Sequence, residues 1–187
     1  IKFMRTKVKK FIQQCPVCQK TDARKVDNKA DHFTSSSDIV MECINMDFIG
    51  PFPDGGYVLT VIDKFSRWVE LYATDDAKAL SAAECLFNHF GRYGSHKLIQ
   101  SDNGPHFVAG LIKEFFSMVG TDHFLTVAYS KQENAIVERS NKEINRHLRT
   151  LLFDRKIQGD YKHCLPLVQR IINSSVSVRT GYAPSEL

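Results

Sequence analysis

The sequence contains no apolar run near the roughly 18 consecutive residues that a membrane span requires, and no secretory signal opens it, so no membrane partner is expected. Cysteine is sparse: five residues scattered over 187 are too few for a disulfide framework and point to a reducing, intracellular setting. Cys43, Cys85 and Cys164 lie in apolar or mixed surroundings and read as small core residues. There is no Gly-x-x-x-x-Gly-Lys loop to cradle nucleotide phosphates and no Gly-x-Ser-x-Gly elbow, and Ser101, beside Asp102, has no plausible histidine partner. Nucleotide-driven and serine-nucleophile chemistries are therefore not expected. Histidine is missing before Cys15, which matters for the Cys15-Pro16-Val17-Cys18 motif.

What is present is a chain 43% hydrophobic, enough to bury a real core and suited to one domain with an appendage. It begins at Ile1 inside what reads as a helix, which suggests a piece of a longer polypeptide. The overall charge is +4, but residues 1–29 hold nine Lys or Arg and two Asp, net +7, leaving −3 for the remainder. The basic charge sits in an arm, suited to phosphate contact or simply to a solvated linker.

A basic helix is expected over Lys2 to Gln14, with Phe3, Val8, Phe11 and Ile12 as apolar contacts, followed by a charged linker from Thr21 to Ser37. Strands are expected at Cys43 to Ile49, Tyr57 to Asp63 and Arg67 to Ala73, as an antiparallel meander. Next come a helix from Ala77 to Tyr93, capped by Asp75 or Asp76, a strand from Leu98 to Ser101, a helix from Phe107 to Val119 and a strand from Thr121 to Val127. The polar segment Ala128 to Glu133 leads to a helix from Asn134 to about Phe153. Alternation of strand and helix after the meander implies an α/β fold, a mixed sheet with helices on its faces.

Three acidic residues occupy positions that suit metal ligands. Asp47 lies in an alternating strand that ends on Gly50-Pro51, Asp102 follows a strand and precedes the Asn103-Gly104-Pro105 turn, and Glu138 lies in the first turns of the long helix. Carboxylates brought together repel unless a cation neutralises them, and hard oxygen ligands select Mg²⁺ or Mn²⁺. Two such ions can serve an in-line displacement at phosphorus, so phosphoryl transfer on nucleic acid is the implied chemistry. Asp63 reads instead as a turn or hydrogen-bonding residue, and Glu133, Glu143 and Asp154 as solvent-facing.

Met46-Asp47-Phe48-Ile49-Gly50-Pro51, Val61-Ile62-Asp63-Lys64-Phe65-Ser66-Arg67-Trp68, Ser101-Asp102-Asn103-Gly104, Asn134-Ala135-Ile136-Val137-Glu138-Arg139-Ser140-Asn141 and Thr180-Gly181-Tyr182-Ala183-Pro184-Ser185-Glu186-Leu187 occur in this order, with 35 residues between Asp102 and Glu138. As an ordered set they resemble the retroviral and retrotransposon integrases, closest to the Ty3/gypsy type, over essentially the whole chain. The resemblance implies a ribonuclease H-like five-stranded mixed sheet over 32–187, preceded by part of a zinc-binding domain over 1–31. It implies that Asp47, Asp102 and Glu138 are catalytic and hold two Mg²⁺ or Mn²⁺ ions, with Asn103 behind them.

In such integrases an upstream histidine pair completes the zinc site begun by Cys15 and Cys18. Here only half a site is present, and His32 matches no family position. Three readings stand open: the other ligands lie upstream of Ile1, they come from elsewhere, or the pair is free thiols. The resemblance also implies a mobile loop at Ala128 to Glu133, where Tyr129 and Gln132 contact DNA ends. Lys131 and Ala135 replace the more usual Pro and Gly, which should alter loop stiffness and let the helix begin earlier.

At 100° per residue, Glu138, Asn141, Lys142, Asn145 and Arg149 share one stripe of that helix, while Val137, Ile144, Leu148 and Leu151 face the core. The stripe suits DNA phosphates; an i,i+4 pair between Glu138 and Lys142 is the competing explanation. The expectation is an integrase core that processes element DNA ends and joins them to target duplex DNA, as a dimer or larger homo-oligomer, acting in the nucleus or in a virus-like particle and then the nucleus. The alternatives are a host-adopted DNA-binding or assembly protein without turnover and a purely hydrolytic nuclease.

Overall fold

The computed structural model describes residues 3–16, 37–126, 131–155, 161–178 and 180–187, except the side chains of 131–137 and 152–155. Helix α1 (Met4–Gln14) precedes three strands, β1 (Cys43–Ile49), β2 (Tyr57–Asp63) and β3 (Val69–Thr74). Helix α2 (Ala79–Tyr93), β4 (Leu98–Ser101), α3 (Pro105–Val108), α4 (Gly110–Val119) and β5 (Asp122–Leu125) follow. The chain continues with α5 (Lys131–Arg155), a 3₁₀ turn over Tyr161–Cys164, α6 (Leu165–Asn173) and a final 3₁₀ turn.

One sheet runs β3-β2-β1-β4-β5. The first three strands form the antiparallel meander, while β4 and β5 join β1 in parallel through helical crossovers. The period of two decides which residues face which layer. Ile44 and Met46 of β1, Leu59 and Val61 of β2 and Ile99 of β4 bury one face against Leu86, Phe107, Ile112 and Phe116. Ile49, Val58 and Ile62 bury the other against Ile144, Leu148, Tyr161, Leu165 and Val168. This is the expected ribonuclease H-like arrangement, a mixed five-stranded sheet flanked by helices. Asp47 alternates with Ile44 and Met46, so it lies on the face covered by α5.

Several boundaries differ from expectation for identifiable reasons. The third strand starts at Val69 rather than Arg67, because Arg67 adopts φ 70° and closes a turn built on Asp63. The Asp63 carboxylate accepts from Ser66 N (2.8 Å), Ser66 Oγ (2.6 Å) and Met41 N (3.0 Å), which is the hydrogen-bonding role expected of it. The helix expected from Phe107 to Val119 is two, broken where Ala109 is extended at ψ 147°. Asp76 does not cap α2 directly: Lys78 occupies the cap position, and Asp76 Oδ1 accepts from Lys78 N (3.1 Å) and Ser81 Oγ (2.6 Å). The long helix begins at Lys131, so the expected loop to Glu133 is shortened, consistent with losing Pro and Gly there. Residues 127–130, Tyr129 among them, lie outside the described residues.

β3 is an edge strand, and α6 covers its outward backbone. Val69 N–H donates to Asn173 Oδ1 (2.9 Å), Asn173 Nδ2 donates to Val69 O (2.9 Å), and Leu71 N–H donates to Gln169 Oε1 (3.0 Å). Such cover removes a template for unwanted strand pairing. Cys43, Cys85 and Cys164 are buried as expected. α1 has no buried residue, and Cys15 at its end is partly exposed; Cys18 and His32 lie outside the described residues. Among the described residues, no helix is long and apolar enough to cross a membrane.

Candidate active site

The predicted acids lie on three elements: Asp47 on β1, Asp102 just past β4, its parallel neighbour, and Glu138 on α5. Asp47, in mid-β1, is held by two donors: its own neighbour Phe48 N–H reaches Oδ1 (2.8 Å), and Asn141 Nδ2 of α5 reaches Oδ2 (2.6 Å). Thr60, directly opposite Asp47 in the ladder, donates through Oγ1 to the Asp47 carbonyl (3.0 Å) and to Asn141 Oδ1 (3.3 Å). Asn141 thus spans strand and helix, its Oδ1 as acceptor and its Nδ2 as donor. Asn141, expected to face DNA, is half-buried and spends both amide groups on Asp47 and Thr60.

Asp102, just past β4, accepts from Gly104 N–H through Oδ1 (2.9 Å). Gly104 is needed here for space. A Cβ at this position would stand 2.6 Å from His106 Nε2 and 2.9 Å from Asp102 Oδ1. Asn103, expected behind the acids, donates instead to the Thr126 carbonyl (3.4 Å), tying the turn to the end of β5.

The electrostatics connect the three acids. The Asp47 carboxyl is pushed up to about 6, first by burial, then by the Asp102 charge, with the Glu138 charge adding last; the Phe48 and Asn141 hydrogen bonds oppose the rise. Burial and like charges around a carboxylate make its anion costly. The Asp102 charge weighs more on Asp47 than the Glu138 charge does. Among the described residues, no three Asp, Glu, His or Cys side chains stand close enough to enclose one ion. Glu138 and Lys142 are exposed, and no ion pair between them occurs among the described residues. Asn145 is partly exposed and Arg149 exposed, while Ile144 and Leu148 are buried and Leu151 partly so, as the helical stripe predicted. The side chains of Gln132 and Val137 lie outside the described residues.

Sequence reasoning missed two residues at this site. Thr60 becomes visible only once the β1–β2 register is known. His106 is half-buried, its ring edge-on to Phe48 (5.0 Å) and Phe107 (4.2 Å), and burial lowers its pKa while the Asp102 charge raises it. Its place four residues after Asp102, on the first turn of α3, was the available signal.

Residues 38–131, half of the chain, match the sequence model of the integrase core domain. The chain belongs to the integrase core domain family. Similar proteins are retroviral: the Pro-Pol polyprotein of simian foamy virus type 3 is 30% identical over 187 residues, covering 98% of this chain and 16% of that polyprotein. The koala retrovirus Gag-Pol polyprotein is 36% identical over 99 residues, covering 52% of this chain and 6% of that one. The integrase core described here thus spans a small part of the curated relatives it matches. Among solved structures, a simian T-cell lymphotropic virus intasome in complex with PP2A regulatory subunit B56 gamma matches with TM-score 0.76 at 16% identity, covering 97% of this chain and 66% of that one. The HTLV-2 integrase catalytic core domain in complex with magnesium matches with TM-score 0.67 at 17% identity, covering 78% and 95%. At these identities the likeness establishes the fold.

Proposed function

We propose that this integrase core is a metal-dependent polynucleotidyl transferase that trims the ends of retroelement DNA and joins them to target DNA. In the first reaction water breaks the bond between phosphorus and a 3′-oxygen, releasing a 3′-hydroxyl. In the second, that 3′-oxygen attacks a phosphorus of the target strand and displaces the target's own 3′-oxygen. The observation that carries this reading is the electrostatic coupling of the Asp47 carboxyl to the charges of Asp102 and Glu138, within a chain that matches the integrase core family.

The donor set fits Mg²⁺ or Mn²⁺: hard carboxylate oxygens, with the Asp47 anion disfavoured by burial and then by the Asp102 charge until a cation offsets both. Asp47, Asp102 and Glu138 would hold two such ions, which when bound activate an attacking oxygen and stabilise a leaving one. The remaining residues orient. Asn141 and Phe48 N–H keep both Asp47 oxygens fixed, Gly104 N–H fixes Asp102, and Thr60 holds Asn141. Exposed Lys142 and Arg149, with the partly exposed Asn145 between them, continue the stripe beyond Glu138, and we assign them to DNA phosphates, with Tyr129 and Gln132 assigned to DNA ends. Concerted joining of two DNA ends requires at least a dimer. Cys15 and Cys18 supply two of the four ligands of a zinc site, too few to hold Zn²⁺ without histidines from further upstream.

The test is a labelled terminal duplex incubated with the protein and Mg²⁺ or Mn²⁺. Wild type should yield a shortened strand and a joined product, and Glu138→Gln should lose both by at least about a hundredfold. Equal activity in the two defeats the assignment. DNA binding without divalent-dependent cleavage would favour a host-adopted binding protein, and nicking without joined product a nuclease.

A further inference from the structure

Outside the acids themselves, the least explained feature at this end of the sheet is the ring cluster beside them. Phe48 immediately follows Asp47, and its own N–H holds Asp47 Oδ1. The Phe48 ring stacks on Phe107 at 5.6 Å with planes 12° apart, and Phe107 is fully buried. His106 closes the cluster, standing at 89° to Phe48 and 77° to Phe107. Its far edge meets Gly104, whose missing side chain leaves room for both the imidazole and the Asp102 carboxylate. The turn is fixed from the helical side as well, since Phe107 N–H and Val108 N–H both donate to the Gly104 carbonyl (2.9 and 3.2 Å).

We propose that His106 is a positioning residue: wedged between Phe48, Phe107 and Gly104, its ring couples the strand that carries Asp47 to the turn that carries Asp102 and so sets the spacing of the two carboxylates. The inference rests on the reading that these acids hold divalent cations. The coupling runs through ring packing. Phe48 cannot move without shifting the N–H that orients Asp47, and Gly104 cannot move without shifting the N–H that orients Asp102. Edge-to-face contacts of this kind are directional, so a smaller side chain at position 106 would leave both segments free to adjust separately. Groups that orient metal ligands from behind commonly change metal affinity by 10- to 100-fold when removed.

The test is Mn²⁺ binding to the protein alone, by calorimetry, with thermal midpoints measured in parallel. His106→Ala should weaken Mn²⁺ binding about tenfold or more, and His106→Phe, which keeps an edge-on ring, should restore most of it. Gly104→Ala presses on the same imidazole and carboxylate from the other side. It should weaken binding too, and the double variant should lose less than the two single losses combined. Gly104→Ala and His106→Phe keep the question answerable should His106→Ala not fold. If wild type binds Mn²⁺ and Asp102→Asn abolishes it, while His106→Ala binds as wild type or loses only thermal stability, the positioning role is overturned and the cation site stands. Equal loss in His106→Phe and His106→Ala would also overturn it, since the ring would then not be what matters. If wild type does not bind Mn²⁺, or binds it equally in Asp102→Asn, the cation reading itself fails and takes the inference with it.

Discussion

Among the described residues, Asp47 is the carboxylate whose pKa is pushed up, and that gives it a measurable signature. Its pKa rises from 3.8 to about 6 on folding, chiefly through burial and then the Asp102 charge. The folded state therefore keeps a proton that the unfolded chain releases, and stability declines as pH rises from about 4 to about 6. The full difference is worth on the order of 3 kcal/mol. Asp47→Asn carries no charge at any pH, so without divalent cations it should melt at a higher temperature than wild type above pH 6. The gap should shrink toward zero or reverse below pH 4, where Asp47 is protonated in both states. Saturating Mg²⁺ should also close the gap, by stabilising only wild type. A gap independent of pH, in melting curves recorded from pH 4 to 8 with chelator, would remove the electrostatic account of this site. The position of Asp47 could be read from strand alternation and a following Gly-Pro. Its partners could not: Asn141 and Thr60 are 94 and 13 residues away, and only the register brings them to it.

The strands were legible because a two-sided sheet imposes its period on the sequence; β1, β2 and β4 fall where alternation and turn residues placed them. The misplaced boundaries lie where one backbone conformation decides, at Arg67 and Ala109, and side-chain pattern carries no sign of it. What pattern reading missed entirely is a buried polar chain linking β3, α2 and the entrance to β1. His96 Nδ1–H donates to the Met41 carbonyl (2.7 Å), so His96 Nε2 must accept from His89 Nε2–H (2.9 Å). His89 Nδ1 in turn accepts from Tyr72 O–H (2.9 Å). Every member is satisfied only while both rings are neutral. His89 is pushed down to about 3, by burial first and then by the charges of His96 and Arg92, and His96 is lowered by burial. Both histidines thus hold fewer protons folded than unfolded, so stability is lost as pH falls below about 6.5. Asp47 acts in the opposite direction over part of that range, so the comparison belongs in the Asp47→Asn background. There, His89 alone should lower stability by about 2 kcal/mol between pH 6.5 and 5. His89→Phe should be less stable at pH 7.5, having stranded Tyr72 and His96, yet lose less on acidification. Parallel urea titration curves for the two proteins at both pH values would refute the neutral pairing.

Charge separates the molecule into an arm and a body. Residues 1–29 carry net +7 and the remaining chain −3, and α1 buries none of its residues, so Arg5, Lys7, Lys9 and Lys10 all remain in water. On the proposed function, a body of negative net charge would gain little from long-range attraction to DNA, and its own cations would act locally, the role we assign to the exposed Lys142 and Arg149 beyond Glu138. The arm should then supply much of the sequence-independent affinity and the stripe on α5 the local fit. Each phosphate neutralised contributes about −0.9 to the slope of log K against log salt concentration. Replacing Arg5, Lys7, Lys9 and Lys10 with Ser should make that slope shallower by between about 1 and 4, weakening all duplexes alike. Changing Lys142 and Arg149 to Ser should take away at most about 2, but should cost divalent-dependent cleavage even at salt concentrations where binding is restored by excess protein. Fluorescence anisotropy on one labelled duplex from 50 to about 300 mM salt measures both slopes. If the arm variant keeps the wild-type slope, the arm is a solvated linker, and the affinity of this integrase core for DNA must come from the face that carries the acids.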